Sequence, residues 1–187
     1  MRFVGLLLLG ACAEATTATS QSAIDAPVTP IDSPKLIDAA PDAPASMCPS
    51  SDTCAAATDL GSVSGDTGAD TKTASGYQSA WYRVRVTEDD SSVFGVALRL
   101  TVRLTSPPGT NYDLYLYVNE GSDVIECTTL KGSSTATGTA DSSSISWGEG
   151  TVANGADDSR SVSIEVRPVS GPCTASQPYQ LLVLGDT

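Results

Sequence analysis

Leu98-Arg99-Leu100-Thr101-Val102-Arg103-Leu104-Thr105 decides the fold class. Apolar residues occupy every second position, with Arg and Thr between them. A strand sends successive side chains to opposite faces, so strict period two over eight residues describes a half-buried strand and not a helix. Working outward, Trp81-Tyr82-Arg83-Val84-Arg85-Val86 has the same texture. It sets Tyr82, Val84 and Val86 on one face and Trp81, Arg83 and Arg85 on the other. After the turn signal Pro107-Pro108-Gly109 comes Tyr112-Asp113-Leu114-Tyr115-Leu116-Tyr117-Val118.

Further strands are expected at Ile125–Leu130, Ser144–Trp147, Ser161–Val166 and Tyr179–Leu184, with a weaker one at Leu60–Val63. Gly132-Ser133-Ser134 and Ser142-Ser143-Ser144 read as loops. No stretch carries a long amphipathic helix. Short strands at roughly even spacing with turn signals between them point to a β-sandwich or barrel. The expected fold is all-β, a single antiparallel jelly-roll-like β-sandwich over residues 48–187.

The chain ahead of that domain has a different chemistry. Met1 and Arg2 make a basic start, Phe3 to Leu9 an apolar run, and Leu9-Gly10-Ala11-Cys12 a small-residue cleavage site, the organisation of a secretory signal. This run is far shorter than the roughly 20 residues that cross a bilayer as a helix. Leu9 to Cys12 resembles the lipobox of bacterial lipoproteins, which implies lipidation of Cys12 by palmitate-type acyl chains. The expected partition is therefore a signal peptide at 1–11 and a tether at 12–47. The tether is rich in Pro, Ala and Asp, with the degenerate repeat Ile24-Asp25-Ala26-Pro27, Ile31-Asp32-Ser33-Pro34, Ile37-Asp38-Ala39-Ala40-Pro41. Such a composition cannot bury enough apolar surface to offset its ordering entropy, so disorder is expected there. Two or three acyl chains would hold the protein to a membrane without an apolar patch on the domain. Ala13 stands where Asp would, in some bacteria, favour inner-membrane retention, so the cell envelope and its outer membrane are the expected location.

Composition narrows the chemistry. With 22 acidic against 10 basic residues the formal net charge is −12, which repels phosphate backbones and argues against nucleic acid. The absence of histidine removes the usual general base, the Ser-His and Cys-His nucleophile pairs and the commonest metal ligand. No enzymatic activity is expected.

Beyond Cys12, the cysteines Cys48, Cys54, Cys127 and Cys173 in an exported chain suggest two disulfides. A four-thiolate zinc site needs paired close spacings that Cys127 and Cys173 do not supply. Of the three connectivities, the expected one joins Cys48 to Cys54 and Cys127 to Cys173.

The order of motifs resembles the bacterial pre-peptidase C-terminal domain, a relative of the clostridial collagen-binding domain. The resemblance rests on Gly61-Ser62-Val63-Ser64-Gly65-Asp66, Trp81-Tyr82-Arg83-Val84, Asp113-Leu114-Tyr115-Leu116-Tyr117 and Pro178-Tyr179-Gln180-Leu181-Leu182-Val183. The chain departs from the family at Tyr77-Gln78-Ser79-Ala80, where an acidic pair is usual, and at Ser161–Val166. The resemblance implies an antiparallel sandwich without catalysis of its own, accessory to substrate contact, export or anchoring.

The candidate binding face is Tyr115 and Tyr117, which alternate with core residues and project away from them. Their truncation is expected to cost far less stability than that of Leu114 or Leu116. Arg83, Arg85, Arg99 and Arg103, four of the ten basic residues, are expected to make one sheet face basic. Carboxylates cluster at Asp66 and Asp70, at Glu88-Asp89-Asp90 and at Asp157-Asp158. Oxygen ligands suit calcium, the one cofactor left open, although no D-x-D-x-D-G loop occurs and acids also serve turns.

These readings converge on a monomeric envelope lipoprotein presenting an adhesion or interaction module to an extracellular protein or glycan. The alternatives are a calcium-dependent carbohydrate- or matrix-binding module and, from another class, a carboxylate-based hydrolase.

Overall fold

The computed structural model describes residues 48–50, 52–89, 95–149 and 155–186. The expected signal peptide, the tether, Cys12 and Asp90 lie outside the described residues. Within them a short 3-10 turn, Cys54–Ala56, is followed by β1 (Thr58–Ser64), β2 (Thr71–Gly76), β3 (Ala80–Thr87), β4 (Ala97–Thr105) and β5 (Asn111–Tyr117). After these come β6 (Leu130–Ser134), β7 (Ala140–Gly148), β8 (Arg160–Ser170) and β9 (Tyr179–Gly185). They form a five-stranded sheet ordered β1-β3-β8-β5-β6 and a four-stranded sheet ordered β2-β9-β4-β7. All pairings between these strands are antiparallel except β1 with β3, which is parallel.

Alternation creates the core. Along β3, residues Ala80, Tyr82, Val84 and Val86 are buried while Trp81, Arg83 and Arg85 are not. Along β4, Leu98, Leu100, Val102 and Leu104 face inward and Arg99 and Arg103 are exposed. These residues join Leu114 and Leu116 of β5, Val162, Ile164 and Val166 of β8, and Leu181 and Val183 of β9 in one apolar cluster contributed by both sheets. Burying each such side chain fully contributes about 1.5–3 kcal/mol, which makes this cluster the main source of stability. The chain is an all-β sandwich.

The turn at Pro107–Thr110 behaves as the residues dictate. Thr110 N–H donates to Pro107 O at 3.1 Å, and Gly109 holds φ at +80°, a conformation that glycine adopts without a Cβ penalty. Close approach explains Gly76: a Cβ there would meet the Tyr179 hydroxyl and lie 2.7 Å from its Cζ.

Several expectations are corrected. Ile125–Leu130 is not a strand; Val124 and Ile125 are each 49% exposed, and β6 starts only at Leu130. Glu126 is the physical reason. Its Oε1 accepts hydrogen bonds from the N–H groups of Cys127, Thr128 and Thr129 and from the Thr128 hydroxyl. These bonds wrap the chain around one carboxylate and hold its pKa down to about 2, the Thr129 N–H contributing most. Both serine-rich stretches expected as loops are strand: Gly132-Ser133-Ser134 in β6 and Ser142-Ser143-Ser144 in β7. Strand β2, with the sequence TKTASG, carries no apolar signal beyond Ala74.

The disulfides are also paired differently. Cys48 bonds Cys173 and Cys54 bonds Cys127, with Cα–Cα distances of 5.4 and 6.0 Å. Residues 48–50 and 52–54 lie along the start of β3 as a strap. Ser50 bridges Ser79 in parallel, the Trp81 N–H donates to Asp52 Oδ1 at 2.7 Å, and Thr53 is extended. Cys48 and Cys54 therefore stand at the two ends of the strap, and each is bonded to a different part of the domain. In the chain-entropy model, loops of 125 and 73 residues each restrain the unfolded chain by about 4–5 kcal/mol.

Candidate functional site

The two sheet registers place the candidate side chains. Across the outer face of the five-stranded sheet, Trp81 of β3 and Tyr115 of β5 both stand opposite Glu165 of β8. One row along, Arg83 and Tyr117 both stand opposite Ser163. Directly paired residues share a face with Cβ atoms about 4.5–5.5 Å apart, so this grid forces contact between residues remote in sequence.

Glu165 is the centre, only 7% exposed. Arg167 donates to it twice, Nε to Oε1 and Nη2 to Oε2, each at 2.7 Å. The Tyr117 hydroxyl donates to Oε2 at 2.9 Å and accepts from Arg167 Nη2 at 3.1 Å. A buried carboxylate without such donors would be strongly unfavourable; here each oxygen is engaged. Burial first, and the adjacent Glu165 second, push the Tyr117 hydroxyl up to about 12. The Glu165 hydrogen bonds raise Arg167 in turn, locking it as a cation.

Aromatic rings complete the arrangement. The Trp81 and Tyr117 rings lie 5.3 Å apart with an interplanar angle of 32°, and the Arg167 guanidinium sits 4.3 Å from the Tyr115 ring centroid. The Tyr115 hydroxyl donates to Asp113 Oδ2 at 3.1 Å; burial raises the pKa of both groups. Beside this cluster, between the strap and β8, lies a shallow hollow of about 340 Å³ bounded by Pro49, Ser79, Arg167 and Pro168.

The two candidate tyrosines thus separate. Tyr115 is half-buried, as an outward residue under an arginine should be. Tyr117 is 6% exposed and belongs to the packed network, which corrects the expectation that both face solvent. The strand period placed it on the outer face correctly, but Trp81, Glu165 and Arg167 cover it.

The arginines separate too. Arg83 and Arg85 lie on the outer face of the five-stranded sheet, Arg99 and Arg103 on that of the four-stranded sheet, so no single basic face forms. Arg83 donates to Cys54 O at 3.2 Å, Arg85 pairs with Asp123, and Glu165 pairs with Arg167 instead of any of the four.

Of the acidic clusters, the structure joins loops more than it builds a chelating site. Both Asp66 oxygens accept from Asp89 N–H at 3.0–3.1 Å. Glu88 Oε2 accepts from Asp158 N–H at 2.7 Å, and Asp157 Oδ1 from Ser159 N–H at 2.9 Å. These carboxylates cap loop backbone at one end of the sandwich. Among the described residues no group of three or more His, Cys, Asp or Glu is placed to hold a metal ion.

Strand period alone does not single out Arg167. Its signal was the spacing Glu165-x-Arg167, which puts opposite charges on one face of a strand, next to a row of aromatics whose position only the register reveals.

Compared with known proteins, the chain matches no family model and no curated protein sequence. Among solved structures it is similar to the pre-peptidase C-terminal domain of a collagenase from Bacillus anthracis. That likeness has a TM-score of 0.36 and 11% sequence identity, and covers 69% of this chain and 94% of that one.

Proposed function

We propose that this protein is a non-catalytic lipoprotein of a bacterial envelope that displays the sandwich as an adhesion or interaction module. Its binding face would be the outer face of the five-stranded sheet around Tyr115. The observation that carries this reading is the half-buried Tyr115 ring held under Arg167, itself fixed by two hydrogen bonds to a buried glutamate. Rigid aromatics and arginines are the side chains most enriched where partners bind, because little conformational freedom is lost on contact. The shallow hollow beside Arg167 adds a concave rim to this face.

Membrane attachment enters through Cys12, in the lipobox-like segment Leu9-Gly10-Ala11-Cys12. Acyl chains there would leave residues 48–187 free to face a partner, at the outer membrane by the Ala13 criterion.

Two experiments test the reading. Cys12→Ala should abolish acyl labelling and release the protein from membranes; retention in the pellet after carbonate washing would refute the anchor. A glycan and matrix-protein screen of the full chain, run with and without calcium, should find a ligand whose binding is lost in Tyr115→Ser and Arg167→Ala. A ligand bound equally well by both variants would place the binding face elsewhere.

A further inference from the structure

A second site lies on the open side of the sandwich, where β1 and β2 are edge strands of different sheets, the first paired with β3 and the second with β9. The two strands meet near Ser64, whose N–H donates to Asp70 Oδ2 at 3.2 Å, and part toward Asp52 and Tyr77. The wedge between them encloses about 390 Å³. Its apolar lining includes the buried Ala80 and, only partly buried against the core, Leu60 and Ala74. Tyr82 and Tyr179, both buried, form its floor with their hydroxyls 2.9 Å apart, and Tyr82 reaches Ser75 O at 3.4 Å.

Asp52 is the charged side chain of this lining. One oxygen accepts the Trp81 N–H, and among the described residues no lysine or arginine forms an ion pair with it. Burial pushes its carboxyl up, the Trp81 hydrogen bond only partly offsetting that. A half-buried carboxylate with no counter-charge among the described residues, at the mouth of a wedge with apolar walls, suits a cation on an aliphatic stem. The net charge of −12 attracts basic partners at long range. We propose that this wedge binds a lysine or arginine side chain presented on an extended basic segment of a partner polypeptide. The site is separate from the outer face around Tyr115 and does not depend on that reading.

The test uses the full chain with both disulfides formed and an acetylated, amidated hexapeptide alternating lysine and threonine, followed by amide NMR shifts and fluorescence polarisation. Saturable binding should move resonances of Asp52 and of Ser75 to Gln78. Asp52→Asn, which keeps an acceptor for the Trp81 N–H, should weaken it at least about tenfold. Replacing the peptide's lysines by norleucine should abolish binding without altering the protein at all. Asp59→Asn removes the same charge from an exposed β1 position outside the wedge and should change affinity less than about twofold. Equal losses in Asp52→Asn and Asp59→Asn, or no saturable shift, would overturn the proposal. So would an N-acetylglucosamine oligomer moving these resonances where the peptide does not.

Discussion

Replacing Tyr117 separates the packed network from a solvent-facing platform. Tyr117→Phe keeps the ring against Trp81 and deletes the hydroxyl. Glu165 then retains two of its three hydrogen bonds, both from Arg167 at 2.7 Å, so the cost should be about 1–2 kcal/mol. At about 3–5 °C per kcal/mol for a domain of this size, melting should fall by roughly 3–10 °C. Tyr117→Ser also removes a ring that is 6% exposed, and should cost about 3–5 kcal/mol. Tyr115→Ser loses a cation–π contact and a half-exposed ring, about 1 kcal/mol. Thermal melts by circular dichroism rank the three.

Alkaline pH gives an independent reading. A tyrosine titrates near 10 when unfolded, whereas folded Tyr117 is pushed up to about 12. The phenol must stay protonated in the fold, so its contribution is fully present below about pH 10 and is lost as pH rises toward about 12. The unmodified protein should therefore lose more stability across that window than Tyr117→Phe. Equal costs for Tyr117→Ser and Tyr115→Ser, with no pH difference in Tyr117→Phe, would refute the buried network.

Truncating Leu114 or Leu116 to Ala, both fully buried between the sheets, should cost about 2–5 kcal/mol in denaturant titrations. Non-reducing peptide mass spectrometry should recover Cys48 linked to Cys173 and Cys54 linked to Cys127, and a Cys48–Cys54 peptide would contradict the strap. Gly76→Ala should lower the melting temperature by several degrees, because its Cβ would press on the Tyr179 ring and hydroxyl. A neutral result there would mean that Tyr179 can withdraw from the Tyr82 hydroxyl.

What the sequence determined by itself is local. The alternation of Leu98 to Thr105, Trp81 to Val86 and Tyr112 to Tyr117 sufficed to name the inward residues, because a pleated strand facing one core imposes period two on its own residues. The all-β class and the outward placement of Trp81, Tyr115 and both arginine pairs followed from the same rule. Strands β2 and β6 were beyond it: TKTASG and LKGSS carry little apolar material, and they form because β9 and β5 each present an edge that requires a partner. Sheet order is a relation between distant segments. It put Arg83 and Arg99 on opposite outer faces and set Trp81 and Tyr115 on either side of Glu165, covering a tyrosine that strand period alone leaves in solvent. The cysteine pairing is of the same kind, since bonding requires Cα atoms within about 7 Å. Which cysteines come that close is decided by how the strap runs along β3, not by spacing along the chain.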